Sequence, residues 1–245
     1  MLDSSAPRDF TTTRWSVVGA ANLRGDASGG RARAALEELC RAYWYPLYAF
    51  VRGRGHSAVD AQDLTQAFFA GLVDRGGFAT VERGRGRFRS YLLGAMKNFL
   101  ANEWDRATAQ KRGGGEAFVA WDAVDAESRF AELAAPDLDP DAVYDRQWAL
   151  ETTASALEAL RQEMEASGHA DRFEALQGTL TGGEAPARDE LAALLGLTEN
   201  TLKVAIHRMR KRYAALVRAA VAETVADEAE LDEEMRYLVS VLRGG

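Results

Sequence analysis

The chain has 245 residues, of which 47% are hydrophobic and 27% charged, a globular balance that argues against wholesale disorder and sets an expectation of one or two domains. No run approaches the roughly 18 apolar residues of a membrane span, so membrane insertion is not expected, and the single cysteine, Cys40, excludes an internal disulfide and a cysteine-rich zinc site. The net charge of −7 speaks, as an average, against nucleic acid, but the average conceals a strongly uneven distribution.

The opening Met1-Leu2-Asp3-Ser4-Ser5 has no basic cap before an apolar core, so no secretory leader and a cytoplasmic location are expected. Residues 1–30 read as an extension. Helical periodicity then dominates. Leu36, Leu39, Cys40, Tyr43 and Leu47 fall on one helical stripe, and Pro46 within it predicts a kink or a fresh helix start. Ser57 with Asp60 resembles a capping box, opening a helix that buries Leu64, Phe68 and Leu72 and stops near Gly76-Gly77. Phe88, Leu92, Ala95 and Phe99 mark a third helix, which should run to about Ala109 before the breaker Gly113-Gly114-Gly115. Residues 31–113 are expected to form one helical domain.

Residues 114–140 contain Pro136 and Pro140 and little periodicity, and read as an acidic linker. Helical pattern resumes at Trp148, Leu157, Leu160 and Met164, breaks at Ser167-Gly168, and returns at Phe173, Leu176 and Leu180 before Gly182-Gly183. Residues 141–222 are expected to form a second helical domain. An acidic extension over 223–245 follows, whose Leu231, Met235, Leu238 and Leu242 make a helical stripe suited to packing on the body. The expected fold is all-α, with two small helical domains.

The sharpest local pattern lies between Asp189 and Tyr213. A short helix at Glu190–Leu195, a turn at Gly196 and a cap at Thr198 precede a helix with Leu202, Ile206, Met209, Tyr213 and Leu216 on its apolar side. The other faces carry Asn200, Thr201, Lys203, His207, Arg208, Arg210 and Lys211. An amphipathic helix after a tight turn, polar and basic outside, fits a helix-turn-helix recognition helix, in which Arg and Lys meet guanine edges or phosphates and Asn pairs with adenine. A plain helical hairpin is the structural alternative.

Charge supports two anion-binding surfaces. Arg83 to Arg112 carries eight basic residues against two acids, and Glu199 to Arg218 six against one. Glu116 to Asp145 carries nine acids against Arg129, and Glu223 to Arg236 seven against one arginine. In the first basic block Arg87, Arg89, Lys97, Arg106, Lys111 and Arg112 interleave with Tyr91, Asn98, Asn102 and Trp104. A basic groove with planar side chains suits unpaired bases. The acidic tail could compete with DNA for the basic recognition helix, or simply pack with its acids solvated.

These segments together resemble an ECF-type (extracytoplasmic function) sigma factor of bacterial RNA polymerase. Asp60-Ala-Gln-Asp63-Leu-Thr-Gln66-Ala-Phe68 resembles the family's region 2.2, although Gln62 and Ala67 stand where Glu is usual. Phe88-Arg-Ser-Tyr91-Leu92 followed by Asn98 is similar to regions 2.3 and 2.4, and Leu195 to Arg210 to region 4.2, with Val204-Ala205 in place of a common Ser-Arg pair. The resemblance implies that Asp60, Asp63 and Gln66 dock on the core polymerase clamp and that the melted −10 element is held near Tyr91, Asn98 and Asn102. It also implies that the second domain reads the −35 duplex, with an anti-sigma factor as a further class of partner. No catalytic residue, metal or cofactor is then expected, and no Ser-His-Asp order, metal-ligand cluster or phosphate-binding loop is visible. A stand-alone helix-turn-helix regulator would account for 189–217 but not for the first basic block.

Overall fold

The computed structural model describes residues 29–74, 87–109, 123–133, 139–181 and 186–244. Among these, all regular structure is helical: α1 (Gly29–Gly53), α2 (Ala58–Asp74), α3 (Phe88–Ala109), α4 (Ala123–Leu133), α5 (Pro140–Ala166), α6 (Ala170–Leu176), α7 (Gly178–Thr181), α8 (Arg188–Leu195), α9 (Glu199–Ala222) and α10 (Glu228–Leu242). The chain divides into two compact units, one built on Met1–Glu151 with Ala222–Gly245, the other on Thr152–Val221. No described helix is long and apolar enough to cross a membrane.

This division differs from the one read from sequence. The boundary falls inside α5 rather than at 140, and the C-terminal extension belongs to the first unit. The linker expected over 114–140 contains α4. That helix buries Ala126 and is tied down by the Arg52–Glu127 and Arg129–Glu151 ion pairs, with Arg129 stacked on the Tyr45 ring.

In the first unit α2 and α4 pack on α1, and α3 packs on α2. Tyr43, Trp44, Tyr45, Leu47, Tyr48, Ala49, Phe50 and Val51 are all buried, so this stretch of α1 is covered on every side. The burial explains why the helix continues through Pro46 instead of starting afresh there. A proline inside a helix costs about 3 kcal/mol, whereas burying one large apolar side chain contributes about 1.5–3 kcal/mol.

Ser57 caps α2 by accepting from the Asp60 amide at 3.1 Å, and its hydroxyl donates to the Asp60 carboxylate at 2.7 Å. The short aspartate meets the hydroxyl instead of reaching the Ser57 amide, as a glutamate would. α2 buries Ala61, Thr65, Phe68, Phe69 and Leu72, while Leu64 stays partly exposed, beside the expected stripe. Thr65 tolerates burial because its hydroxyl donates to the Ala61 carbonyl at 2.7 Å. α3 buries Phe88, Leu92, Met96 and Leu100, leaving Ala95 and Phe99 half-covered.

Two further segments close this unit. Glu127 of α4 accepts from Arg52 at 2.6 and 2.9 Å and from the Tyr48 hydroxyl at 2.7 Å, with Arg52 lying 4.8 Å over the Phe130 ring. At the other end, the Phe88 amide, an orphan donor of α3, donates to the Thr224 carbonyl at 3.1 Å. Asp227 caps α10 by accepting from the Glu230 amide at 2.8 Å. α10 buries Leu231, Glu234 and Leu238, whereas Leu242, expected on that stripe, is exposed and Met235 half-covered.

The second unit packs Leu160, Phe173, Leu176, Leu191, Ala192, Leu202 and Met209 into one core. Gly168, at φ +74°, ends the turn after α5, and Gly196, at φ +62°, ends α8. The Gly196 amide donates to Ala192 and Ala193, and the Leu197 amide returns to Ala192 at 2.9 Å, a left-handed cap that reverses the chain within two residues.

Candidate functional site

α8, the Gly196 turn and α9 form a helix-turn-helix within the second unit. Thr198 accepts from the Thr201 amide at 3.3 Å, so α9 starts where the sequence places it. Leu202 and Met209 are buried and Ile206, Tyr213 and Leu216 half-buried, which turns the opposite side of α9 to solvent. The Tyr213 hydroxyl donates to the Thr153 carbonyl at 3.1 Å, and burial raises its pKa, so the apolar side also has a polar anchor. Asn200, Thr201, Lys203, His207, Arg208, Arg210 and Lys211 are all exposed. Asn200, Lys203, His207 and Arg210 fall at alternating spacings of three and four, one above another along a single face. Arg210 is steadied by donating to the Thr179 carbonyl at 2.8 Å, and Arg212 by pairing with Glu163 at 2.7 Å. Lys203, Arg208 and Lys211 have no carboxylate partner among the described residues. Arg188, at the start of α8, joins the cleft beside Asn200, Lys203, His207 and Arg210. Periodicity missed it because it lies outside α9; its sign was a lone base three residues before Leu191.

The first basic block is arranged otherwise. Arg89, expected to touch DNA, is buried at 6% exposure, and that expectation is corrected. Its Nε donates to Glu234 at 2.9 Å, its Nη1 to Asp145, and its guanidinium lies 4.4 Å over the Tyr237 ring and 4.9 Å over Trp148. Tyr144 donates to the Arg89 carbonyl at 3.0 Å. Burial alone would lower the Arg89 pKa, but the hydrogen bond and charge of Glu234, with Asp145, raise it above the ordinary value. Burial and the hydrogen bond to Asp145 push the Tyr237 hydroxyl up to about 12. Arg87 pairs with Glu233 at 2.5 Å and with Glu234 at 3.1 Å. Lys97 pairs with Asp141 at 2.5 Å. The tail's Glu233 and Glu234 are thus matched by Arg87 and Arg89, so of the two roles the sequence left open the tail takes the packed one, with these two acids paired rather than merely solvated.

Between α2 and α3 the first unit carries an open groove of about 560 Å³ lined by Phe68, Leu72, Tyr91, Asn98, Phe99 and Asn102 among others. Tyr91, Asn98 and Asn102 share one side of α3; the asparagines are exposed, and Tyr91 is half-buried, its pKa raised by burial. Trp104 and Arg106 lie on α3, but their side chains are outside the described residues, as are Lys111 and Arg112 altogether. On α2, Asp60 and Asp63 are exposed and Gln66 half-exposed, beside Val59 at 68% exposure. Among the described residues no three His, Cys, Asp or Glu side chains gather to hold a metal ion.

No family of known proteins matches this chain, and neither a curated protein nor a solved structure shows detectable similarity to it.

Proposed function

We propose that this chain is a transcription initiation factor that binds RNA polymerase core and directs it to promoters. The observation that carries this reading is the solvent-facing row Asn200, Lys203, His207 and Arg210, held on α9 behind a tight glycine turn. Such a row suits a major groove, where Arg and Lys pair with guanine and Asn with adenine, and in this reading it contacts the −35 duplex. A second feature favours an initiation factor over a regulator of duplex DNA alone. The groove beside Tyr91, Asn98 and Asn102 offers an aromatic ring and two amides at an apolar floor, a combination suited to bases out of the stack. The exposed Asp60 and Asp63, with Gln66, then form the acidic face offered to polymerase. In this reading the chemistry belongs to polymerase, and the chain contributes binding and position.

The test is run-off transcription from a randomised promoter library with purified bacterial core polymerase. Sequenced transcripts should start at sites sharing two separated motifs, only when this chain is present, and Lys203→Ala should lower their yield. Tight binding to duplex promoter DNA without polymerase, together with no directed initiation, would overturn the proposal in favour of a stand-alone regulator.

A further inference from the structure

On the reading above, α3 opens the surface that meets the unpaired strand, yet Arg87 just before it and Arg89 in its first turn are occupied from within. The pairing has two tiers. Arg89, Glu234 and Asp145 form the inner one, with side-chain exposures of 8%, 1% and 15%. Arg87 and Glu233 form the outer one, with 25% and 56%. The inner tier is anchored by the Trp148 and Tyr237 rings and by the buried Leu231 and Leu238, so it belongs to the fold. The outer tier is different: Glu233 is exposed and pairs with Nη2 of Arg87, whose Nε also reaches the buried Glu234 at 3.1 Å.

We propose that Glu233 is an internal phosphate mimic that occupies Arg87 and gates the nucleic-acid surface of α3. An arriving strand competes with the carboxylate for one guanidinium while α10 stays docked by its inner tier. The contact thereby lowers the affinity of the free chain for single strands of any sequence. It costs less where a partner already holds the strand nearby, since a tethered competitor is readily exchanged at high local concentration.

The test uses the full chain and a fluorescein-labelled single-stranded oligodeoxythymidine at low salt, read by anisotropy. Glu233→Gln should tighten binding about two- to five-fold, the range spanned by an exposed ion pair. It should also steepen the dependence of log affinity on log salt by about 0.7, as for one more phosphate neutralised on a single strand. Its melting temperature should match that of the parent, and the double substitution Arg87→Gln with Glu233→Gln should lose the gain. Equal binding by parent and Glu233→Gln overturns the gate and leaves the initiation reading standing. A gain that survives the double substitution, or a marked loss of thermal stability in Glu233→Gln, likewise overturns it. The initiation reading falls separately, if the unaltered chain directs no start sites in the polymerase assay.

Discussion

The two basic blocks carry comparable charge but use it in opposite ways. Arg87, just before α3, and Arg89 and Lys97 on it are turned onto carboxylates of α10 and α5, whereas Lys203, Arg208 and Lys211 on α9 face solvent without a carboxylate partner among the described residues. The difference follows from where apolar residues sit. On α3, Arg89 lies three and seven positions before the buried Leu92 and Met96 and so shares their face, and a buried guanidinium requires partners. On α9, Lys203, Arg208 and Lys211 stand one, two, six or nine positions from Leu202 and Met209, off the face those two share, so their burial leaves the charges outside. Charge density along a sequence therefore locates basic residues, and the neighbouring apolar register decides whether they are structural or available.

The strongest way to break this comparison is to remove the inner partner. Glu234→Gln should destabilise the first unit by about 3–5 kcal/mol, as expected when a buried pair loses one charge, and chemical denaturation would measure it. A cost below 1 kcal/mol, the level of exposed pairs, would show that Arg89 behaves like a surface residue after all. On the other side, Lys203→Ala should leave stability within about 0.5 kcal/mol while weakening −35 duplex binding by the polymerase complex by about 1–3 kcal/mol if it meets a base edge. Equal binding by variant and parent would remove that residue from the reading surface.

The presentation of α9 offers a smaller handle. Gly196 sits at φ +62° with open space around the position a β-carbon would take, so Gly196→Ala carries only conformational strain. A loss of about 1 kcal/mol is expected in the second unit, with DNA binding reduced in proportion to any reorientation of the helix.

The smallest effect concerns α4. The hydrogen bond from Arg52, with those of Tyr48, holds the Glu127 carboxyl below its ordinary value of 4.5, despite some opposing desolvation. A depressed folded-state value means that the tie is fully present above 4.5 and is lost as pH falls through the lowered value. Acidification from neutrality to below that range should release Glu127 of α4 from Arg52 and Tyr48, read as a change in the fluorescence of Trp44, which stacks on Tyr48 at 5.2 Å. Glu127→Gln should abolish that transition.

Much of this architecture is legible in the residues. Gly196, Thr198 and the spacing of Leu202 and Met209 set the helix-turn-helix without reference to anything distant, because caps and stripes are local. The polar, solvent-facing side of α9 follows from the same spacing. What could not be read is long-range. Nothing near Arg89 announces Glu234, which lies 145 positions away, or Asp145, 56 away. Nothing near Arg52 announces Glu127, 75 positions on. A carboxylate's partner is fixed by tertiary approach, and an acidic run looks the same whether its acids are solvated or bound. Pro46 illustrates the converse: its local veto on a helix is sound, and it is outweighed by burial that only the folded neighbours provide.

The first unit is discontinuous in the chain, with Thr152–Val221 inserted between its two parts. During synthesis α1 to α3 therefore emerge while Thr224, Val225, Leu231, Glu234 and Leu238 have yet to be translated. Until those residues arrive, the Phe88 amide lacks its acceptor and Arg89 lacks its deepest carboxylate. The inserted helix-turn-helix, whose core is drawn from 160–209, has all its parts earlier. The first unit can therefore be completed only by the last residues of the chain, so a truncation there strikes a core that begins some two hundred positions earlier.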